Sequence, residues 1–247
     1  EEAKKLLADA EKMLDKMESE NILKANAAFG LFEANSVGDN IEVYNDSEMI
    51  NFNLLRQQEV KKDNTYMCLS DFIAPKDTGI KDYIGAFITT GGIGAKEYAD
   101  KLKASGDDYG ATMVILLADR LAEAFAEYVH EKVRKEYWAY SPDENLFIEE
   151  IFKGKYRGIR PAIGYPSLRD HSEKVKLFNL LDKEGELNVK LTESYMMSPT
   201  ASTCGLYFGN KDAKYFDINK IHQDQFNDYA QRNGRDKGCL LYTSLMA

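Results

Sequence analysis

Cysteine is scarce and scattered. The three residues, Cys68, Cys204 and Cys239, show no paired spacing, which excludes a disulfide framework and a cysteine zinc site and fits a reducing cytoplasm. No apolar run approaches the length needed to span a bilayer, and no stretch of the sequence reads as a secretory leader. Positive charge is the minority sign: the formal net charge is −9, which repels phosphate backbones and anionic lipid and argues against nucleic acid or a membrane surface as partner. An initiator methionine is also missing, so the opening Glu1-Glu2-Ala3-Lys4-Lys5 reads as the interior of a longer polypeptide. What the 247 residues do have is 44% hydrophobic content, enough to bury a sizeable core, and one large domain is expected.

Proline numbers only five, and two of these fall in one stretch of eleven residues, Tyr156-Arg157-Gly158-Ile159-Arg160-Pro161-Ala162-Ile163-Gly164-Tyr165-Pro166. Such a segment is not helix. Pro161 and Pro166 fix φ while Gly158 and Gly164 permit positive φ or close backbone approach, so the stretch reads as a shaped loop. Arg160 carries a guanidinium that stays charged and matches a carboxylate bidentately, and Tyr165 offers a flat face with a polar tip. The pair suits a small zwitterionic ligand, although the loop taken alone reads more readily as a stiff surface loop with a structural ion pair.

Around this loop the periodicity is mixed. Leu6, Leu7, Ala10, Met13, Leu14 and Met17 mark an amphipathic opening helix, and residues 1–28 are expected as a leading helix. From Asn40 to Leu54 the period is two, with a turn at Asn45-Asp46, which reads as a β-hairpin. Cys68 to Ile73 and Tyr83 to Thr90 read as strands. Gly91-Gly92-Ile93-Gly94 then punctuates a turn into a helix; a dinucleotide fingerprint fails because Glu97 stands where glycine is needed.

Tyr109 to Trp138 is the longest helical pattern and should be central, with Asp119, Glu123, Glu127 and Glu131 along one stripe. His130-Glu131 lacks a second histidine at 134 for a zincin motif. Ser141-Pro142-Asp143-Glu144 reads as a capping box opening a helix that ends near Gly154. Asp170 to Leu181 is a short helix, Leu187 to Thr192 and Ser202 to Phe208 are strands, Asn210-Lys211-Asp212 is a turn, Tyr215 to Ile221 is a strand, and Gln223 to Asn233 is a helix closed by Gly234. Hairpin-like strand pairs with helices gathered between them indicate an α+β fold on a largely antiparallel sheet.

Arg160-x-x-x-Gly164-Tyr165-Pro166 after Tyr156-x-Gly158-Ile159 resembles the S-adenosylmethionine-binding signature of the reactivation (activation) domain of cobalamin-dependent methionine synthase. Similar family blocks occur in the family's order as Leu69-Ser70-Asp71-Phe72-Ile73-Ala74-Pro75-Lys76, as Leu117 to Glu127, as Leu191-Thr192-Glu193-Ser194, and as Tyr207-Phe208 and Lys214-Tyr215-Phe216. The resemblance covers the chain to about Gly234. It implies a C-shaped domain on a bent antiparallel sheet over residues 1–237. Residues 238–247 depart from the family and read as a non-native tail.

By the same resemblance Asp71 takes the cofactor-contacting aspartate position, Arg160 the arginine position, and Tyr215 with Phe216 the aromatic pair. Ala162, Gly164 and Tyr165 would add backbone and wall, and Glu123 matches a family glutamate on the cofactor side. Taken alone, Asp71 could simply end a strand, and Tyr215 and Phe216 could be ordinary core. Gly154 stands where many relatives carry a glutamate, and Ile163 and Ser167-Leu168-Arg169 replace the proline and Ala-Cys-Pro of many relatives.

The implied reaction is reductive methylation, in which inactive cob(II)alamin is reduced by one electron and methylated from S-adenosylmethionine. By this resemblance the domain would bind the methyl donor, cobalamin would belong to a neighbouring domain of the same enzyme, and homocysteine would be methylated elsewhere. No side chain need act as acid, base or metal ligand. A free-standing reactivation module for another corrinoid protein, or a non-catalytic interaction domain, is the alternative. Lys153, Lys155, Arg157, Arg160, Arg169, Lys174 and Lys176, against Asp170 and Glu173, are expected to form a positive patch where an acidic flavodoxin-type electron donor could dock.

Overall fold

The computed structural model describes residues 1–46, 48–59 and 65–234. The expected tail 238–247 lies outside the described residues. The fold is α+β as expected. A five-stranded sheet has the order β3-β2-β1-β4-β7, with β1 Lys24–Val37, β2 Asn40–Asn45, β3 Glu48–Asn53, β4 Asp82–Ile93 and β7 Ser202–Tyr207. The two strands β5 Lys190–Leu191 and β6 Met197–Ser198 pair separately. The helices are α1 Glu2–Ser19, α2 Ala95–Ala104, α3 Asp108–Lys132, α4 Ile148–Ile151, α5 Glu173–Leu181 and α6 Gln223–Asn233. Contacts divide the chain into two compact units: Glu1–Ala28, Ile88–Val129 and Glu184–Thr203 form the first, and Phe29–Phe87, His130–Lys183 and the chain from Cys204 onward form the second.

In the first unit, Met17 of α1 is buried with Ala95, Val114, Ala118, Ala122 and Ala201, and Met13 packs beside it. Only the C-terminal half of α1 reaches this core; Leu6 and Leu7 remain exposed. The helix stops at Ser19, short of the expected 28, where Asn21 turns to positive φ ahead of β1. β1 escaped the sequence reading because its burial pattern shows almost no alternation until its last four residues. Gly91 and Gly92 are not loop but the end of β4. A Cβ on Gly91 would lie 3.0 Å from the Ala122 nitrogen, and one on Gly92 would lie 2.7 Å from the Ala201 Cβ. The turn itself falls at Gly94, at φ +93°.

In the second unit the expected hairpin is present, pairing Ile41 with Phe52 and Val43 with Ile50, and Ile41, Val43 and Phe52 are fully buried. Three expectations fail here, each where hydrogen bonds outside the expected element's own pattern engage the segment. Leu69–Phe72 is a 3₁₀ turn instead of a strand, because the Asp71 carboxylate accepts the Cys68 N–H at 2.8 Å. No helix starts at Pro142, because Glu144 forks onto the fully buried Arg134 instead of capping; only Ile148–Ile151 is helical. Tyr215 to Ile221 is irregular, with the Gln57 amide donating to the Asp217 carbonyl and the Ile218 N–H to the Pro166 carbonyl. The long helix holds, and its last turn widens into a π-helical turn at Val133–Tyr137. Gly234 closes α6 at φ +62°, as expected.

Candidate functional site

The Tyr156 to Pro166 stretch lies against β7 as a short, irregular edge strand. Ile159 and Phe208 exchange both N–H···O bonds at 3.0 Å, Leu206 donates to the Pro161 carbonyl at 3.1 Å, and Ile163 donates to the Cys204 carbonyl at 2.9 Å. An edge is where proline is tolerated, since Pro161 need only accept. Gly205 makes the approach possible: a Cβ there would collide with the Pro161 carbonyl and stand 2.8 Å from the Ala162 Cα.

Beyond Ala162 the chain closes on itself, with Gly164 donating to the Leu168 carbonyl at 2.7 Å and Leu168 to the Tyr165 carbonyl at 2.9 Å. Gly164 has φ +102°, and a Cβ would fall 2.6 Å from Cε1 of His171. This position requires glycine on both counts. His171 is held in turn by Lys174, whose Nζ is 2.8 Å from His171 Nδ1. Because an ammonium only donates, Nδ1 accepts and the ring proton sits on Nε2. Burial, and after it the Lys174 charge, lower the His171 pKa, which favours the neutral ring.

Arg160, half-buried, donates its backbone N–H to the Tyr215 hydroxyl at 2.9 Å, and its guanidinium lies 5.6 Å from the Phe87 ring centroid. Tyr215 and Tyr165 are about half exposed, whereas Ala162 and Phe216 are 8% exposed and act as wall. Phe216 meets the Phe72 ring edge-on at 6.4 Å, and Phe72 adjoins Asp71 in the 3₁₀ turn. Arg56 forks onto Asp71, Nη1 to Oδ2 at 2.8 Å and Nη2 to Oδ1 at 2.7 Å, and also reaches Asp39. Asp71, chiefly, holds the Arg56 pKa well above its ordinary value.

Seven of the eight candidates therefore belong to the second unit, linked through Arg160, Tyr215, Phe216 and Phe72 to Asp71. Glu123 lies on α3 in the first unit. Arg56 and His171 were not anticipated, and Lys174 was expected only as part of a surface patch; nothing in the local pattern around Arg56 marks it.

The expected positive patch is not a free surface. Lys174 is 3% exposed and its pKa is lowered by burial; Lys176 pairs with Glu173 at 2.7 Å; Arg169 donates to the Asn219 carbonyl. Lys153, Lys155 and Arg157 remain exposed. Burial raises the Cys204 thiol to about 12 and the Cys68 thiol to about 11, so neither is a thiolate nucleophile near neutrality.

A family model described as vitamin B12 dependent methionine synthase, activation domain, matches residues 1–234. The chain belongs to this family. A crystal structure of the MetH reactivation domain bound to AdoHcy is 47% identical and superposes with a TM-score of 0.93, covering 98% of this chain and 76% of that one. The activation-domain family thus accounts for all of the described chain, and no helix among the described residues is long and apolar enough to cross a membrane.

Proposed function

We propose that the chain binds S-adenosylmethionine and presents its methyl group for the reductive remethylation of inactive cob(II)alamin in a cobalamin-dependent methionine synthase. The observation that carries this reading is the Arg160 turn: a permanently charged guanidinium, fixed through the backbone by Tyr215, beside a glycine corner and exposed tyrosine faces. Its support from outside the chain is the AdoHcy held by the similar reactivation domain, since AdoHcy is the demethylated form of the same ligand.

The donor set fits such a ligand. Arg160 would take its carboxylate, Asp71 its ammonium, and Tyr165 and Tyr215 the adenosine, with Ala162, Gly164 and Phe216 as wall. Asp71 accepts three hydrogen bonds in the structure, two from Arg56 and one from Cys68, and a carboxylate can accept about four. Bound there, S-adenosylmethionine supplies an electrophilic methyl group on a sulfonium centre. The chain's own residues orient the donor and none transfers a proton. Glu123 is assigned to the cofactor side on family likeness. Cobalamin belongs to another domain of the same enzyme, a flavodoxin-type donor supplies the electron, and the isolated chain should not methylate homocysteine.

Titration calorimetry of S-adenosylmethionine tests the reading. A hydrogen bond to a charged group contributes roughly 1.5–3 kcal/mol, so Arg160→Ala should weaken binding by about 10- to 150-fold, with Arg160→Lys recovering part and Asp71→Asn also weaker. No binding by the unmodified chain would refute the function. Equal affinity for all variants would move the site elsewhere.

A further inference from the structure

A second concavity in the same unit, about 370 Å³, contains none of the eight candidate residues. Its walls are aromatic: Trp138 and Tyr140 meet edge to face at 5.1 Å and 87°, Tyr83 is 44% exposed, and the buried Phe72 also lines it. Gly209 forms part of the floor. A Cβ there would lie 3.0 Å from Tyr140 Cδ1 and 3.4 Å from the Trp138 ring, so only glycine leaves the rings open. Both the volume and the lining are those of small-molecule sites, which are concave, mostly apolar or aromatic, and equipped with few polar groups.

The polar groups decide the ligand class. Arg157 is fastened to the wall, Nε donating to the Gly209 carbonyl at 2.9 Å and Nη1 to the Tyr140 carbonyl at 3.0 Å, with its guanidinium 5.5 Å from the Tyr140 ring centroid. Neither Arg157 nor Lys211 forms an ion pair among the described residues, and Nη2 of Arg157 makes no hydrogen bond there. Asp82 is the acidic residue of the lining, and its two oxygens accept the Ala74 and Tyr83 N–H groups, each at 2.8 Å. Asn210 is occupied as well, its amide donating to the Phe72 carbonyl and its oxygen accepting from Asp212. The lining thus carries two cations, Arg157 over the Tyr140 ring and Lys211, against the single carboxylate of Asp82, which two backbone N–H groups already engage, so its charge balance is positive. A cationic guest would be repelled, and a purely apolar one would strip water from both charges without replacing it.

From this arrangement we infer that the cleft binds a planar aromatic anion, a ring that lies against Trp138 and Tyr140 and carries a phosphate or carboxylate to Arg157 and Lys211. Such a ligand meets each group with its chemical complement: ring faces for the walls and a fork-matching anion for the guanidinium. The inference stands apart from the S-adenosylmethionine reading.

The experiment is built into the chain, because Trp138 is its single tryptophan and its emission reports on this cleft alone. AMP serves as probe on the 247-residue chain, with adenosine and inorganic phosphate as its two halves. AMP should change the emission saturably, and each half should bind at least about 10-fold more weakly. Arg157→Gln should weaken AMP by a similar factor. Lys211→Ala, which breaks no hydrogen bond seen here, should weaken it several-fold while the indole N–H resonance of the free chain stays in place. No saturable change with AMP, adenosine equal to AMP, or both variants equal to the unmodified chain would overturn the assignment. So would loss of the AMP response in saturating S-adenosylmethionine, which would make the cleft part of the other site.

Discussion

Two arginine forks on carboxylates in the second unit differ in where water stops. Arg134 has no exposed side-chain surface and Glu144 has 8%; Nη2 approaches Oε1 at 2.8 Å, and the guanidinium lies 4.2 Å from the Tyr156 ring centroid. In the other fork Arg56 is 32% and Asp71 40% exposed, and Arg56 divides itself between Asp71, Asp39 and the Tyr66 carbonyl. The same chemistry therefore serves two ends. The buried fork joins the π-helical turn to the segment that leads into the Arg160 stretch and has no charge to offer a ligand. The half-exposed fork leaves an oriented carboxylate at the surface, where a ligand can still add a bond.

Removing one partner of the buried fork should give the largest effect. Arg134→Met leaves Glu144 without its countercharge in a dry site and should cost about 3–5 kcal/mol of stability in denaturant unfolding. The double variant Arg134→Met with Glu144→Leu should regain most of this, because the loss comes from the stranded carboxylate. Equal losses in the single and double variants would mean that packing of the guanidinium on Tyr156 matters more than charge.

The buried fork also marks the limit of what the sequence discloses. Elements whose signals are local were legible: the hairpin through Ile41, Val43 and Phe52, the long helix α3, and α6 with its Gly234 stop. Ser141 to Glu144 carried a sound capping pattern, yet Glu144 found Arg134 ten residues back, and a bidentate fork in a buried setting outweighs a terminal cap worth about 1 kcal/mol. In the candidate site, the glycines, prolines and Arg160 of one turn were readable because they lie within eleven residues. Arg56 was not, since its place beside Asp71 arises from the loop after β3, and Lys174 looked like surface until α5 buried it.

A third acid sharpens the contrast, because it is more deeply buried than Glu144 and paired with lysine. Glu173 has no exposed surface, meets Lys176 at 2.7 Å, and accepts the Asn53 N–H; Asp170 adds negative charge nearby. Burial outweighs the lysine and raises its pKa to about 7. A carboxyl raised above its unfolded value stabilises the fold fully below about pH 4.5, and this contribution is lost as pH rises through about 7. Between pH 5 and 8 the unmodified chain should therefore lose on the order of 2 kcal/mol relative to Glu173→Gln. Parallel stability curves for the two would show that Lys176 keeps Glu173 ionised throughout.

The smallest change in stability should come from the half-exposed fork, and there the ligand is the better reporter. Arg56→Ala removes two hydrogen bonds from Asp71 but leaves the one from Cys68, and water reaches the freed carboxylate, so the loss should be about 1 kcal/mol or less. Affinity for S-adenosylmethionine should fall more clearly, by roughly 3- to 10-fold, because Asp71 then rotates among rotamers that the fork had excluded. Arg56→Lys restores a charge without a fork, so it should recover stability better than affinity. Arg134→Met, measured under conditions where it stays folded, should leave affinity near that of the unmodified chain. If Arg56→Ala instead loses as much stability as Arg134→Met and leaves affinity unchanged, exposure is not what separates the two forks, and Asp71 belongs to the frame instead of the site.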